Sequence, residues 1–267
     1  MTTATTDAFL GGLVTAIQPA TGHHRAGLEA VLLAASVPAE ARGRALDLGA
    51  GAGIAGFGLA ARCQALAVTL VEREAALVDA ANASLALAAN AGFAARVSVA
   101  ALDIEAPEPV RLAAGVAREA ADLVVTNPPF HDPDAVRASP AQPRAGAHIL
   151  PAGLDPWFRF AAWALQPGGA LVAILAAAML TDALTALRGR FGGVAVLPVH
   201  PRPDMAALRV MLHATKGSRA ATTVLPGLVL HGAAGKDFAP EVARLLRGET
   251  DLPAIHPAWQ RIVAGSF

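Results

Sequence analysis

At the centre of the chain the sequence reads Ala121-Asp122-Leu123-Val124-Val125-Thr126-Asn127-Pro128-Pro129-Phe130. Leu123, Val124 and Val125 form a short apolar run with β-branched residues, which suits a strand buried on both faces. Pro128 and Pro129 forbid both strand pairing and a helix directly afterwards. A carboxamide, Asn127, therefore stands at the carboxyl end of a central strand, followed by two fixed prolines and an aromatic ring, Phe130. In an open parallel sheet this is the end at which ligands bind. The plainer alternative is a Pro-Pro turn closed by an Asn, with Phe130 in the core. A second candidate is Asp47-Leu48-Gly49-Ala50-Gly51-Ala52-Gly53. Its glycines allow a tight turn and a close approach of ligand to backbone, and the helix start behind them offers free N–H groups. Gly51, Gly53 and Gly56 also fit the GxGxxG of dinucleotide binders, with Glu72 about 20 residues further on. Asp47 within the strand and Asp103 at the end of a third strand lean away from that reading. Carboxylates ending strands one, two and three suit a cofactor with an ammonium, a ribose diol and an adenine amine. The alternative is that Asp47 or Asp103 merely caps a turn.

The elements that must position these residues alternate between strand and helix. Leu28 to Ala35 reads as a helix closed by Pro38, and Arg44 to Leu48 as the first strand, with a helix from the Gly-rich turn to about Arg62. Ala67 to Val71 is a second strand ending at Glu72. Glu74 to Ala91 reads as one long helix stopped by Gly92. Val97 to Leu102 is a third strand, Ala106 to Gly115 a Pro-bearing loop, and the strand at Leu123 the fourth. The polar segment from Phe130 to about Pro151 is long enough for a functional insertion. Leu154 to Leu165 (helix), Ala170 to Ala176 (strand), Thr181 to Arg190 (helix) and Val194 to Val199 (strand) continue the alternation. Ala207 to Ala214 is a seventh strand in which Arg and His alternate with apolar residues, and the short turn before it predicts an antiparallel pair. A further strand near Leu228 and a helix near Val242 follow. This order predicts an α/β doubly wound, Rossmann-like sheet of seven mostly parallel strands with an antiparallel C-terminal hairpin.

With 267 residues, 54% hydrophobic and 16% charged, the chain has ample material for a folded core. The formal net charge is zero, so bulk charge does not advertise nucleic acid, although a local Arg patch would be invisible in the total. Cys63 is the only cysteine, which excludes an intrachain disulfide and fits a reducing cytosol. The N-terminal residues lack the basic and apolar regions of a signal peptide. The longest apolar run, Ala170 to Leu180, is shorter than the roughly 20 residues a bilayer requires. These features predict a cytoplasmic monomer without a membrane segment.

Asp47 to Gly53 resembles motif I of class I S-adenosylmethionine-dependent methyltransferases. The resemblance implies a ribose-binding role for Glu72 and an adenine-binding role for Asp103. Asn127-Pro128-Pro129-Phe130 resembles the NPPY/NPPF motif of enzymes that methylate an amino group conjugated to a π-system, and it lies about 75 residues after motif I. Such acceptors are adenine N6 in nucleic acid and glutamine in release factors. Asp7 to Gly12, Gln18-Pro19, His24 to Gly27, Val31 to Ala35 and Arg209 to Pro226 are further similar to the bacterial valine-tRNA adenine N6-methyltransferases. The sequence departs from that group at His24, where Tyr is common, and at Glu29, where Asp is expected. The resemblance implies one methyltransferase domain over 1–267, with an N-terminal lid and helix (1–40), a catalytic core (41–216) and a C-terminal extension (217–267). S-adenosyl-L-methionine is the implied cofactor and tRNA the implied partner. Implied roles are acceptor-amine contacts for Asn127 and Pro128, base stacking for Phe130, and cofactor binding for Asp47, Gly49, Gly51, Gly53, Glu72 and Asp103. Arg25 is a candidate contact to a cofactor carboxylate or phosphate, or an exposed Arg at a helix start. Arg137, Arg144 and His148 after the NPPF, and Lys216 and Arg219 in the Lys216-Gly217-Ser218-Arg219 turn, are candidates for gripping RNA phosphate. His23 and His24 have no partners at metal-ligand spacing, so no metal site is expected. Trp157 and Trp163 share one helix and read as core or cofactor-lid packing. The alternatives are a different RNA or a protein glutamine as acceptor, and, in another class, an NAD-dependent oxidoreductase.

Overall fold

A computed structural model describes residues 4–19, 27–129 and 153–266. The chain starts with a hairpin of β1 (Ala4–Phe9) and β2 (Val14–Pro19), then α1 (Leu28–Ala35), β3 (Arg42–Leu48), α2 (Ile54–Arg62) and β4 (Ala65–Glu72). It continues through α3 (Ala75–Leu85), α4 (Ala91–Ala94), β5 (Val97–Ala101), α5 (Glu108–Ala113) and β6 (Ala121–Thr126). After 130–152 come α6 (Asp155–Ala164), β7 (Leu165–Ala176), α7 (Leu180–Leu187), β8 (Phe191–His200) and β9 (Arg209–Lys216). The C-terminal part holds β10 (Thr223–Val224), β11 (Leu228–Val229), α8 (Pro240–Leu246), α9 (Leu252–Ile255) and α10 (Pro257–Val263).

The main sheet runs β10-β8-β9-β7-β6-β3-β4-β5, with β11 also on β8. β3 through β7 are parallel to one another, and β9 is antiparallel to both β7 and β8. The expected doubly wound architecture is present, with β9 inserted between β7 and β8. Alternate residues point to opposite faces of a strand. Val68, Leu70, Leu123, Val125, Ile174 and Met211 therefore pack on α1, α2, α8 and α10, whereas Leu48, Val71, Val124, Leu171 and Leu212 pack on α6 and α7.

Several boundaries differ from the sequence reading. The N-terminal hairpin is docked by side chains: Asn90 Nδ2 donates to Thr15 O, and the Thr15 and Ile17 amides donate to Asn90 Oδ1 and Ser84 Oγ. Those contacts need a break after Leu85, so the expected long helix divides into α3, a 3-10 turn and α4. The expected loop Ala106–Gly115 contains α5. Strand β9 is buried on both faces, not one. His213 lies in the interior, 6.4 Å edge-on from the Trp259 ring, and burial pushes its pKa down to about 4.

The antiparallel course of β9 also places two of the candidate phosphate contacts far from Asn127. Leu212 is level with Ala173 and Thr126, so Lys216 lies about 13 Å down the strand, at the amino end of the parallel strands. There its ammonium donates to Leu165 O and pairs with Glu119 at 2.9 Å. Arg219 follows on the same end, where the Gly193 amide donates to Ala220 O. Both face away from Asn127, because a strand that enters at the ligand end leaves at the other.

Candidate active site

Three carboxylates end adjacent strands. Asp47 is 2% exposed and Glu72 7% exposed, while Asp103 lies half-exposed beyond β5. Asp47 and Glu72 share the α1–α2 face, since they lie two residues after Ala45 and Leu70. Continued by the same alternation, Asn127 follows Val125 onto that face.

The turn after β3 is bound to its neighbour strand. The Gly49 and Ala50 amides both donate to Val71 O, at 2.9 and 3.1 Å. Gly51 N–H donates to Glu72 Oε2 at 2.8 Å, and Glu72 Oε1 accepts from the Arg73 and Glu74 amides. Three backbone donors thus hold the Glu72 carboxylate at the mouth of the turn, leaving about one lone-pair site, on Oε2, for a donor such as a hydroxyl. Gly49 has φ +65°, and a Cβ there would fall 2.4 Å from the Trp157 ring. Only glycine fits both the backbone and the contact. Trp157 thereby braces the turn from the α6 side. Trp163, nearer the other end of the same helix, instead carries the Arg111 guanidinium 4.8 Å from its ring centroid. At Gly51, φ +58°, no atom lies within 4 Å of a Cβ position, so the turn is open on that side.

Asp47 Oδ2 accepts from Gly56 N–H at 2.8 Å, tying β3 to the first turn of α2. Burial pushes its pKa up to about 7; the Gly56 hydrogen bond acts downward and the Glu72 charge upward. An unfolded Asp titrates near 3.8, so the folded state holds this proton more tightly over the interval between. Its contribution to stability is complete below about pH 4, declines as pH rises to about 7, and is then flat. Asp47→Asn keeps an acceptor for Gly56 and removes the titration. Its melting temperature is expected to gain on the wild type between pH 5 and pH 8, measured by thermal unfolding without ligand; a pH-independent gap would contradict the shift.

Asp103 Oδ1 accepts from the Glu105 amide at 2.8 Å, and Oδ2 pairs with Arg73 Nη1 at 3.4 Å. The sequence reading missed Arg73. Its signal was only its place, directly after Glu72 at a strand end.

Asn127 closes the arrangement. Thr126 Oγ1 donates to Leu48 O, which fixes the end of β6 against β3. Asn127 Oδ1 is buried and has no hydrogen-bond partner among the described residues. A buried carbonyl oxygen without a donor is costly, at about 1–3 kcal/mol, and here it stands at the ligand end of the sheet. Pro128 is buried beside it, and neither Pro128 nor Pro129 has a backbone N–H. The two prolines therefore offer only carbonyl acceptors, beside an Asn127 carboxamide that carries both an oxygen acceptor and NH2 donors. The residue set fits the cofactor expected from sequence: anchored carboxylate, open glycine turn, and a nearby buried carboxamide oxygen. Arg25, Phe130, Arg137, Arg144 and His148, with His23 and His24, lie outside the described residues. Among the described residues no group of three or more His, Cys, Asp or Glu could hold a metal, and no helix is long and apolar enough to cross a membrane.

The family model of the methyltransferase small domain matches residues 23–200. A predicted O-methyltransferase from Agrobacterium tumefaciens is similar at 35% identity and TM-score 0.71, over 84% of this chain and 97% of that one. A 16S rRNA guanine-N2 methyltransferase from T. thermophilus, solved with S-adenosylmethionine and guanosine, shares the fold at 24% identity and TM-score 0.54, over 80% of this chain and 50% of that one. A search of curated proteins returned no match. On these matches, and with strand ends built as described, the chain belongs to the methyltransferase small-domain family and is a Rossmann-like methyltransferase.

Proposed function

We propose that the protein methylates N6 of an adenine in tRNA, beside the anticodon. The observation that carries an amine acceptor is the buried Asn127 Oδ1, without a hydrogen-bond partner among the described residues, beside two prolines that lack N–H donors. An exocyclic amine on a π-ring is a poor nucleophile because its lone pair is delocalised. Asn127 Oδ1 and Pro128 O each accept one of its N–H bonds, which localises the lone pair and aims it at the methyl. S-adenosylmethionine supplies that methyl on an electrophilic sulfonium. Glu72 takes the ribose hydroxyls, Asp103 the adenine amine, and the Asp47–Gly53 turn, with Gly49, Gly51 and Gly53, takes the backbone approach; Arg25 contacts the amino-acid end. Phe130 stacks on the extruded base, and Arg144 and His148 contact RNA from the segment that follows.

The A. tumefaciens relative is a predicted O-methyltransferase, but a hydroxyl acceptor must surrender its proton, and a carboxamide has no basicity to take it. The choice of a tRNA adenine follows the resemblance of the N-terminal stretch and of Arg209 to Pro226 to the valine-tRNA group. The test is nucleoside mass spectrometry of bulk tRNA with and without the gene, followed by methylation of the deficient tRNA by purified protein. Loss and restoration of N6-methyladenosine is expected. Unchanged nucleosides would move the acceptor off tRNA.

A further inference from the structure

Arg73 touches both of the carboxylates proposed for the cofactor's nucleoside. Its backbone amide donates to Glu72 Oε1 at 2.8 Å, and its Nη1 donates to Asp103 Oδ2 at 3.4 Å. The main chain joins the same two strand ends: the Leu102 amide, one residue before Asp103, donates to Glu72 O at 2.8 Å. Arg73 extends that joint from the backbone of β4 and β5 to the side chain of Asp103.

The two acids are held in different ways. Glu72 is buried and accepts from three main-chain amides, none of which a change in the Arg73 side chain removes. Asp103 is half-exposed, with Oδ1 on the Glu105 amide at 2.8 Å and Oδ2 on the Arg73 guanidinium. The guanidinium is tethered in turn, its Nε lying 3.5 Å from Glu74 Oε1. An ionised carboxylate has about four lone-pair sites, so each oxygen of Asp103 keeps one for a ligand. An exposed ion pair of this kind adds little to stability. Its consequence is orientation: without the guanidinium, Oδ2 is free to turn toward water.

We infer that Arg73 is a positioning residue for Asp103, and that by fixing this carboxylate it makes the site accept an adenine amine and reject a base with oxygen at the same position. The inference rests on the reading above in which Asp103 takes the adenine amine. An ionised carboxylate only accepts hydrogen bonds, so it binds an N–H and repels a carbonyl oxygen. A carboxylate free to rotate swings into solvent and tolerates the carbonyl, whereas a fixed one cannot avoid it. Selectivity of this kind comes from the repulsion that the wrong ligand is made to meet.

Calorimetry tests this with three ligands: S-adenosylhomocysteine, S-inosylhomocysteine, in which oxygen replaces the 6-amino group, and 2′-deoxy-S-adenosylhomocysteine. The wild type is expected to prefer the amine over the oxygen by about 10- to 100-fold, the range for a hydrogen bond to a charged group. Arg73→Ala should lose most of that preference and keep the wild-type preference for the 2′-hydroxyl, because the amides on Glu72 are unchanged. Arg73→Lys should recover part of the amine preference, since an ammonium still pairs with the carboxylate but lacks the planar fork. Asp103→Asn should erase or reverse it, because its NH2 can donate to the oxygen. An ion pair that served the fold alone would leave both preferences in Arg73→Ala at their wild-type values, and that result overturns the assignment by itself. Loss of both preferences overturns it too, since Arg73 would then act on the Glu72 turn and not through Asp103. A wild type without amine preference removes Asp103 from the adenine, and the assignment with it.

Discussion

Asn127→Ala is expected to lose about 100- to 1,000-fold in turnover, the effect of deleting one preorganised hydrogen-bond partner of developing charge, while S-adenosylmethionine affinity stays near the wild-type value. The separation follows from the geometry. Cofactor contacts are proposed at the ends of β3, β4 and β5, whereas Asn127 ends β6 and its Oδ1 bonds to none of the described residues. Removing an oxygen that no described residue uses leaves no new orphan among them, so the fold and the Gly-rich turn are expected to survive. Asn127→Asp distinguishes acceptance from bulk. Aspartate keeps an oxygen for the amine N–H, and its cost is the burial of a charge beside Pro128. Partial activity is expected, rising as the reaction is run at pH values where the carboxylate is ionised. Single-turnover methylation of unmodified tRNA, with both variants first shown to be folded and to bind S-adenosylhomocysteine, is the measurement. Full activity in Asn127→Ala would reduce the Asn-Pro-Pro to a turn.

The residues at strand ends were the legible part of the chain. Asp47, Glu72 and the strand before Asn127 announce themselves because a buried parallel strand reads as an apolar run, and its polar terminator must lie at the ligand end. Long-range insertion was not legible. The short turn between β8 and β9 correctly implies an antiparallel pair, but no local signal says that β9 enters between β7 and β8. That one fact sends Lys216 and Arg219 to the far end and Arg209 to the end at which Asn127 stands. The N-terminal hairpin escaped for a different reason. Val14, Ala16 and Gln18 face inward, so a buried glutamine interrupts the apolar alternation that would have marked β2. Leu10, buried with φ +51°, stands at its turn where a glycine would have been the recognisable signal. Trp157 was legible as a residue with two readings, and only its contact with Gly49 connects it to the turn.

Glu72→Ala is expected to abolish measurable S-adenosylhomocysteine binding, but for two superposed reasons that the structure allows to be separated. The carboxylate accepts from the amides of Gly51, Arg73 and Glu74, so alanine strands three donors at the end of β4. The hydrogen bonds are half-buried, so each donor costs up to about 1–3 kcal/mol where water cannot replace the carboxylate, and each kcal/mol lowers the melting point of a domain near this size by about 2–4 °C. The ligand-free alanine variant should therefore melt several degrees early, before any ribose is considered. Glu72→Gln is the sharper probe. Its one carbonyl oxygen can retain the Arg73 and Glu74 amides, while its NH2 turned toward Gly51 meets another donor and releases only that side of the turn. Affinity should then fall about 10- to 100-fold, the range for losing hydrogen bonds to a charged group. Comparing S-adenosylhomocysteine with its 2′-deoxy analogue by calorimetry divides the loss. If Glu72 takes the ribose hydroxyls, the wild type must prefer the hydroxylated ligand strongly and Glu72→Gln only weakly. Equal preference in both proteins would mean that Glu72 serves the turn alone, and the ribose would have to be held by another group at the end of β4.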